Sequence, residues 1–184
     1  MTLFELLQSD YRKYKKYGGN FFSIVFLTQG YWAVFQYRIA NYCRKKIRFF
    51  PFNFIAKTLM ILWQKVIEIT TGISIPASVS IGHSFYIGHF GSIILNSNCV
   101  IGNNCNISQG VTIGVSGVGE KRGVPKLGNN IYIGANAVLV GKILVNDNVL
   151  IAACSLINSD VEQDAVMLGV PAKVVSKNSS NGYI

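Results

Sequence analysis

Acidic residues are scarce in this sequence: eight Asp or Glu stand against seventeen Lys or Arg, and only 14% of the 184 residues are charged. Half of the residues are apolar, which argues against disorder and for a well-buried core. No apolar run reaches the roughly 18 to 20 residues that a membrane-spanning helix needs. A basic segment leading into an apolar run, as in a secretory signal, is also missing. We therefore expect a cytoplasmic protein with one sizeable domain and an appendage.

The four cysteines include no CxxC pair, the spacing typical of zinc and redox sites. Cys99 and Cys105 fall at apolar positions of a repeat, where we expect the thiols to serve as small core hydrophobes. The sequence therefore predicts neither a disulfide framework nor a metal site.

Charge and aromatic content divide the chain near residue 71. Residues 1–70 hold eleven Lys or Arg, three acids and seventeen of the twenty-two aromatics, whereas residues 71–184 hold six Lys or Arg and five acids. We expect a helical N-terminal extension over residues 1–71, with helices over 2–17, over 22–46, and from near Pro51 to Gly72. Residues 177–184 are rich in Ser, Asn and Gly and are expected to form a flexible tail.

Aliphatic residues recur every six positions, with two interruptions. There are thirteen of them: Ile75, Ile81, Ile87, Leu95, Ile101, Ile107, Ile113, Leu127, Ile133, Leu139, Val145, Ile151 and Ile157. This period predicts a triangular solenoid in which three hexads make one coil and the repeated aliphatic residue points inward. Gly or Asn often follows it, and we expect these residues to adopt the left-handed backbone of the corners. An amphipathic helix would show a 3.6-residue period, which residues 127–160 lack.

The two interruptions are the places where function is expected, because insertions in a solenoid commonly carry it. The spacing from Ile87 to Leu95 is eight, and His89 is the third residue of this irregular hexad. The spacing from Ile113 to Leu127 is fourteen, which places a Gly-rich loop, residues 114–126, outside the solenoid.

Four segments together resemble the hexapeptide-repeat acyltransferases, and within them the serine acetyltransferase branch and its relatives that O-acetylate sugars of bacterial surface polysaccharides. They are the helix over residues 31–40, the irregular hexad with its histidine, the loop ending at Gly128, and the closing segment over residues 169–174. The resemblance implies a mainly β protein, a left-handed parallel β-helix over residues 72–176. It also implies acetyl-CoA as co-substrate, no metal, and a homotrimer with active sites between subunits.

The same resemblance implies that His89 is the general base, which takes the proton from an acceptor hydroxyl so that the oxygen can attack the thioester. Histidine suits this role because it accepts and returns protons near neutral pH. The alternative is an ordinary surface histidine in a turn. His83, one hexad earlier, and Arg122 of the loop are candidates for contacting the acceptor.

For acetyl-CoA, the resemblance implies a groove of small residues, Ala135 and Ala153, where exposed backbone amides bind the pantetheine. Gly114 and Ser116 lie where the family's loop meets the cofactor. Lys126 and Lys173 could contact its phosphates as point charges. The alternative for each alanine is a corner residue chosen for its fit.

Three positions depart from the serine acetyltransferase pattern. Ser74 replaces an Asp that orients the catalytic histidine, Gly88 replaces an Asp directly before that histidine, and Val124 replaces a second histidine in the loop. These departures favour a saccharide acceptor, a sugar hydroxyl of a capsule, O-antigen, exopolysaccharide or lipid-linked precursor. Serine O-acetylation in cysteine synthesis is the alternative, and a scaffold without catalysis is a further one.

The extension carries two basic clusters beside its aromatic residues: Arg12, Lys13, Lys15 and Lys16, then Arg44, Lys45, Lys46 and Arg48. Such segments can lie on the inner face of a membrane, with rings at the headgroup level and cations on anionic lipid. Alternatively, the helices pack on the first coil of the solenoid or build the oligomer. No nucleic-acid-binding module accompanies the basic residues, so a nucleic acid partner is not expected.

Overall fold

The structure, a computed structural model, describes residues 1–47, 49 and 51–184. Three α-helices precede the solenoid: α1 (Leu3–Lys16), α2 (Gln29–Lys46) and α3 (Phe52–Thr71). α1 begins with a capping box in which the side chains of Thr2 and Glu5 each accept from the other's backbone N–H. α3 ends at Gly72, whose φ of 68° lies in the left-handed region. Within the described residues, no helix is both long and apolar enough to cross a membrane.

The helix predicted over residues 22–46 is divided into two segments. A π-helical turn, Ser23–Leu27, precedes α2, and Thr28 between them has an extended backbone. Gly30, at the start of α2, lies so close to the solenoid that a Cβ atom there would stand 2.1 Å from the carbonyl oxygen of Ile87. The break therefore lets α2 begin in contact with the first coil, a requirement that helical periodicity does not reveal. Arg48 of the second predicted basic cluster lies outside the described residues.

In the described part of the chain, fifteen short strands follow the helices. They are β1 Ile73–Ser74, β2 Ser80–Ile81, β3 Tyr86–Ile87, β4 Ile93–Leu95, β5 Val100–Ile101, β6 Asn106–Ile107, β7 Thr112–Gly114, β8 Lys126–Leu127, β9 Tyr132–Ile133, β10 Val138–Val140, β11 Leu144–Val145, β12 Leu150–Ile151, β13 Leu156–Ile157, β14 Val166–Gly169 and β15 Ala172–Ser176. Gly119–Lys121 forms a 3-10 turn within the protruding loop.

The strands form three sheets, and from β1 to β13 consecutive strands enter successive sheets, whereas β14 and β15 both join the third. The orders are β1-β4-β7-β10-β13, β2-β5-β8-β11 and β3-β6-β9-β12-β14-β15, with parallel pairing everywhere except between β14 and β15. A regular coil is 18 residues long, as from Leu127 to Val145. It grows to 20 where it contains the irregular hexad and to 26 where it contains the loop. The fold is the predicted left-handed parallel β-helix with a helical N-terminal region.

All thirteen repeated aliphatic residues are buried inside the solenoid. In-register pairing stacks each one on its equivalent in the next coil, so one local rule builds a continuous core. Cys99 and Cys105 are also buried, which confirms their predicted place in the core. Burial raises the pKa of the Cys99 thiol to about 12 and that of Cys105 to about 11, so neither supplies a thiolate.

The left-handed backbone at the corners lies at a different position of the hexad from the one predicted. Left-handed backbone occurs three places after the repeated aliphatic residue, at positions that include Asn104, Asn130 and Asn148. The glycines directly after the aliphatic residue are required for another reason, the close approach of neighbouring coils. A Cβ atom on Gly102 would lie 2.3 Å from the carbonyl oxygen of Gly128. The prediction of left-handed glycines at this place was therefore wrong.

Side chains from α1 and α2 satisfy backbone groups at the open edge of the first coil. Tyr37 donates to the carbonyl oxygen of Val79 at 2.8 Å. The phenol of Tyr14 bonds both the N–H and the carbonyl oxygen of Ile87, each at 3.0 Å. A buried strand edge without such partners would leave polar backbone groups unsatisfied. The extension therefore caps the solenoid.

A buried ion pair ties this cap together. Arg38 donates to Asp10 at 2.8 Å, and the two side chains are 2% and 1% exposed. Arg38 also donates to the carbonyl oxygen of Ile81, and Asp10 accepts from the N–H of Phe85, both at 2.8 Å. The pair thus joins α1, α2 and the first coil.

A ladder of side-chain hydrogen bonds runs from α1 along one corner to the last coil. Lys13 Nζ donates to Asn104 Oδ1 at 2.6 Å, and bonds of 2.8 to 2.9 Å continue through Asn130 and Asn148 to Asp164. Burial of the ammonium group lowers the pKa of Lys13 to about 8. The ladder links the extension to every coil that it crosses.

Candidate active site

The irregular hexad forms a turn outside the coil. Ile87 is fully buried, whereas His89 and Phe90 after it are exposed. Gly91, with φ of 107°, donates its N–H to the carbonyl oxygen of Thr71 at 2.8 Å, at the C-terminal end of α3. The extra residues therefore hold the imidazole of His89 outside the solenoid, and α3 anchors the base of the turn.

His89 shares one corner of the solenoid with the two predicted alanines. Strand pairing aligns Ile87, Ile107, Ile133 and Ile151 in successive coils. The residues two places later therefore form a row of His89, Gln109, Ala135 and Ala153. All four line a cleft of about 470 Å³. The structure thus brings the predicted base and two predicted cofactor-binding residues into one site.

Two backbone amides along this row lack a protein partner. Among the described residues, no acceptor pairs with the N–H of Ala135 or of Ala153. The carbonyl oxygen of Ala135, by contrast, accepts from the N–H of Cys154 at 2.8 Å. Unpaired amides at the edge of a cleft can donate to the amide carbonyls of an extended ligand. The methyl side chains of the two alanines leave the approach to these amides open.

The C-terminal residues form one wall of the cleft, which sequence reasoning did not anticipate. Tyr183 lines the cleft, and its ring centroid lies 5.1 Å from that of Tyr132. Its carbonyl oxygen accepts from the Tyr17 hydroxyl and from Asn106 Nδ2, each at 3.1 Å. Ser180 is buried and donates its N–H to a carbonyl of the solenoid. The segment predicted as a flexible tail is therefore folded back on the coils.

The predicted residues of the loop lie away from the His89 cleft within one chain. Gly114 is the last residue of β7, and Ser116 pairs with Gly123 through hydrogen bonds of 3.2 and 3.0 Å at the base of the loop. Ser116 lines a separate cavity of about 660 Å³, together with Asp160. Arg122 is exposed on the loop.

The remaining predicted residues are also apart from this cleft. Lys126 and Lys173 are exposed on β8 and β15. His83 is half-buried on a different corner, two residues after Ile81, and its Nδ1 lies 3.0 Å from the hydroxyl of Ser84. The binding roles of these residues stay predictions. No group of three or more His, Cys, Asp or Glu side chains in the described chain could hold a metal ion.

Ser74 stands next to a carboxylate from the helical region. Its hydroxyl donates to Glu68 Oε1 at 2.7 Å, and Glu68 also accepts from Gln64 and Lys65. Burial acts to raise the pKa of Glu68, but the hydrogen bonds outweigh it and hold the pKa below its ordinary value. An ionised carboxylate therefore lies next to Ser74, the residue that replaces the orienting Asp of the resemblance. Sequence reasoning missed Glu68 because it lies on a helix, outside the hexad grid.

Comparison with known proteins covers the extension as well as the solenoid. A serine acetyltransferase of Helicobacter pylori strain J99 is 31% identical over 159 residues, which are 86% of this chain and 88% of that protein. The chain belongs to the serine acetyltransferase family. A serine acetyltransferase of Synechococcus elongatus is 38% identical over 72 residues, and this match spans 39% of the chain and 30% of that protein. No family model matches the chain.

Solved structures of serine acetyltransferases share the fold. The enzyme of Neisseria gonorrhoeae in complex with serine gives a TM-score of 0.80 at 28% identity, over 95% of this chain and 69% of that one. A serine acetyltransferase in complex with CoA gives a TM-score of 0.78 at 26% identity, over 94% and 69% of the two chains. Family membership makes the protein an acetyl-CoA-dependent acyltransferase, as the sequence predicted.

Membership of the serine acetyltransferase family corrects the predicted acceptor. We expected a sugar hydroxyl of a surface polysaccharide because Ser74, Gly88 and Val124 depart from the pattern. The relatives and structures found are serine acetyltransferases, so both the sugar acceptor and the role in polysaccharide biosynthesis are wrong. Departures at three residues count for less than a match that is 31% identical and covers 86% of the chain. At Ser74 a carboxylate is also close by, because the Ser74 hydroxyl donates to Glu68.

Proposed function

We propose that the protein is a serine O-acetyltransferase that moves the acetyl group of acetyl-CoA to the hydroxyl of L-serine. The observation that carries the proposal is the row of His89, Ala135 and Ala153 along one cleft, in a chain of the serine acetyltransferase family. The exposed imidazole is accessible to an acceptor, and the small residues leave room for the arm of the donor.

In this mechanism His89 acts as the general base. It takes the proton from the serine hydroxyl as the oxygen bonds to the thioester carbonyl carbon. The carbon–sulfur bond then breaks, and the imidazolium returns the proton to the departing thiolate. The products are O-acetylserine and CoA. Glu68, acting through Ser74, is the proposed carboxylate that orients and stabilises the imidazolium.

The donor site follows the same corner. We assign the unpaired N–H groups of Ala135 and Ala153 as donors to the amide carbonyls of the pantetheine arm. We assign Gly114 and Ser116 to the loop side of the donor, and Lys126 and Lys173 to its phosphates. Arg122 and His83 remain proposed contacts of the acceptor.

The test is acetyl transfer by the purified protein, with CoA release followed by a thiol reagent and the product identified by mass spectrometry. We expect L-serine to accelerate CoA release and to gain 42 Da. L-alanine, which lacks only the hydroxyl, is the matched control and should give no acceleration. Equal rates of CoA release with the two amino acids would contradict the proposal.

We also propose that the protein forms a homotrimer with its clefts between subunits. The loop residues Ser116 and Arg122 lie apart from the His89 cleft within one chain, so a neighbouring copy is needed to bring the two together. Light scattering should give a mass about three times the 20.2 kDa of one chain. A monomer that keeps full activity would contradict this arrangement. Peripheral contact of the N-terminal helices with the inner face of a membrane is likewise a proposal.

A further inference from the structure

The outward side of α3 and the segment of residues 21–27 present a wide apolar surface to solvent. On α3, eight large apolar side chains are each more than half exposed: Phe52, Phe54, Ile55, Leu59, Ile61, Leu62, Val66 and Ile69. Beside them, Phe22, Phe26 and Leu27 are exposed to a similar degree. These eleven side chains form what is called here the apolar surface. Apolar patches of this kind mark interaction sites on folded proteins.

An aromatic pocket of about 480 Å³ opens beside the apolar surface, between residues 21–27, α2 and α3. Its walls include Phe21, Trp32, Phe35 and Trp63, and no charged side chain lines it. The indole N–H of Trp32 is already bonded to the carbonyl oxygen of Val25 at 2.8 Å. A pocket of this composition suits an alkyl chain better than a polar ligand.

The charges around the apolar surface are positive. Lys57 is exposed on α3, and Arg44 shares a groove with it between α2 and α3. Lys65 is also exposed on α3 but is paired with Glu68. The acids of this region are few, and two are engaged: Asp10 is buried against Arg38, and Glu68 is bonded by Lys65 and Ser74. A second copy of this face would bring like charges together, whereas an anionic lipid headgroup complements them.

We propose that the apolar surface docks on an anionic lipid bilayer, with one lipid acyl chain in the aromatic pocket and the headgroups against Arg44 and Lys57. Aromatic and aliphatic side chains leave water on docking, and the long Lys and Arg side chains reach back to the headgroups. Because Gly91 of the catalytic turn is bonded to Thr71 at the end of α3, docking holds the His89 cleft beside the bilayer. Lipid binding can be measured without an acetyl acceptor, so a failure to dock and a failure to acetylate L-serine are distinguishable.

The first test is co-sedimentation of the full chain with vesicles of phosphatidylcholine alone or with 40% phosphatidylglycerol. We expect binding to the anionic vesicles only, weakened by salt. The double variant Leu62→Glu and Ile69→Glu should bind at least ~10-fold more weakly. Each substitution removes the favourable free energy of moving an apolar side chain from water into lipid. The double variant Val174→Glu and Val175→Glu, at two exposed valines of β15, is the control for the same change of charge and should bind within about twofold of wild type.

Two outcomes would overturn the docking proposal. One is equal binding to neutral and anionic vesicles. The other is a double variant that sediments with lipid like wild type but loses its oligomeric state, which would make the face an interface between copies.

The second test uses the two tryptophans, the only ones in the chain, both of which line the pocket. Vesicles whose lipids carry bromine at mid-chain should quench the tryptophan fluorescence, since heavy atoms quench on contact. Vesicles with the same headgroups and no bromine are the control. Binding without quenching would show that no acyl chain enters the pocket and would overturn that part of the proposal.

Discussion

The helical extension and the solenoid distribute polarity in opposite ways. In the solenoid, the repeated aliphatic residues are buried and each stacks on its equivalent in the next coil. In the extension, Asp10, Lys13 and Arg38 are buried, while large apolar side chains such as Leu62 and Ile69 are exposed. The solenoid is therefore stabilised by its own repetition. The extension is organised by its contacts with the solenoid, with polar groups against the coil edge and apolar groups exposed to solvent.

The largest effect on stability is expected from Asp10→Ala, which would weaken the contact between the helical extension and the solenoid. Arg38 would keep its buried guanidinium without a countercharge, a situation that costs about 3–5 kcal/mol of unfolding free energy. Urea unfolding followed by circular dichroism measures the change. Glu162→Ala removes an exposed partner of Lys177 and serves as the control, with no measurable change expected. Equal stabilities of the two variants would show that the buried pair does not hold the cap on the solenoid.

A substitution within the solenoid should leave stability intact and weaken donor binding. Ala135→Leu places a larger side chain over the unpaired amide in the cleft, and we expect the KM for acetyl-CoA to rise about 10- to 100-fold. Ala77→Leu is the matched control, because Ala77 is also a half-buried alanine two places after a repeated isoleucine, on another corner. A normal KM in Ala135→Leu would exclude this corner as the donor site.

A weaker effect on turnover is expected where the two regions meet at Glu68. Glu68→Gln keeps the hydrogen-bonding shape but removes the charge beside Ser74, and kcat should fall about 5- to 10-fold. Lys65→Met, which removes an exposed partner of the same carboxylate, is the control. An unchanged kcat in Glu68→Gln would limit Glu68 to a structural role.

The smallest effect is a pH dependence that comes from Lys13. Its folded pKa of about 8 lies below the ordinary value of 10.5, so between these values the unfolded chain binds more protons. Stability should therefore rise with pH across this window, by less than about 1.4 kcal/mol per pH unit. Comparison of wild type with Lys13→Met by thermal unfolding from pH 7.5 to 10 isolates the slope. Parallel curves for the two proteins would show that Lys13 does not titrate in this way.

Sequence alone could predict the solenoid because its signal is repeated thirteen times. The same grid places His89, Ala135 and Ala153 two residues after paired isoleucines, so their meeting in one cleft follows from counting. Gln109 occupies the fourth place in that row and could have been found by the same count. Repetition makes such positions predictable, because one spacing rule applies to every coil.

The features that sequence reasoning missed rest on single contacts between distant segments. Glu68 meets Ser74, Tyr183 meets Tyr132, and the helix breaks at Thr28 so that Gly30 can approach Ile87. The six-residue period of the sequence predicts none of these contacts. The acceptor was mispredicted because substitutions at three positions were given more weight than the similarity of the rest of the chain to serine acetyltransferases.

The proposed catalysis depends most directly on the imidazole of His89, which the irregular hexad holds in the cleft. The decisive measurement is kcat for acetyl transfer to L-serine in His89→Ala and in His83→Ala, with folding of both variants checked by circular dichroism. His89→Ala should lose at least ~10²-fold in kcat. His83→Ala removes a proposed acceptor contact and not the base, so it should act on the KM for L-serine and keep kcat within a few-fold of wild type. Full activity in His89→Ala would contradict the account and favour a scaffold role for this solenoid.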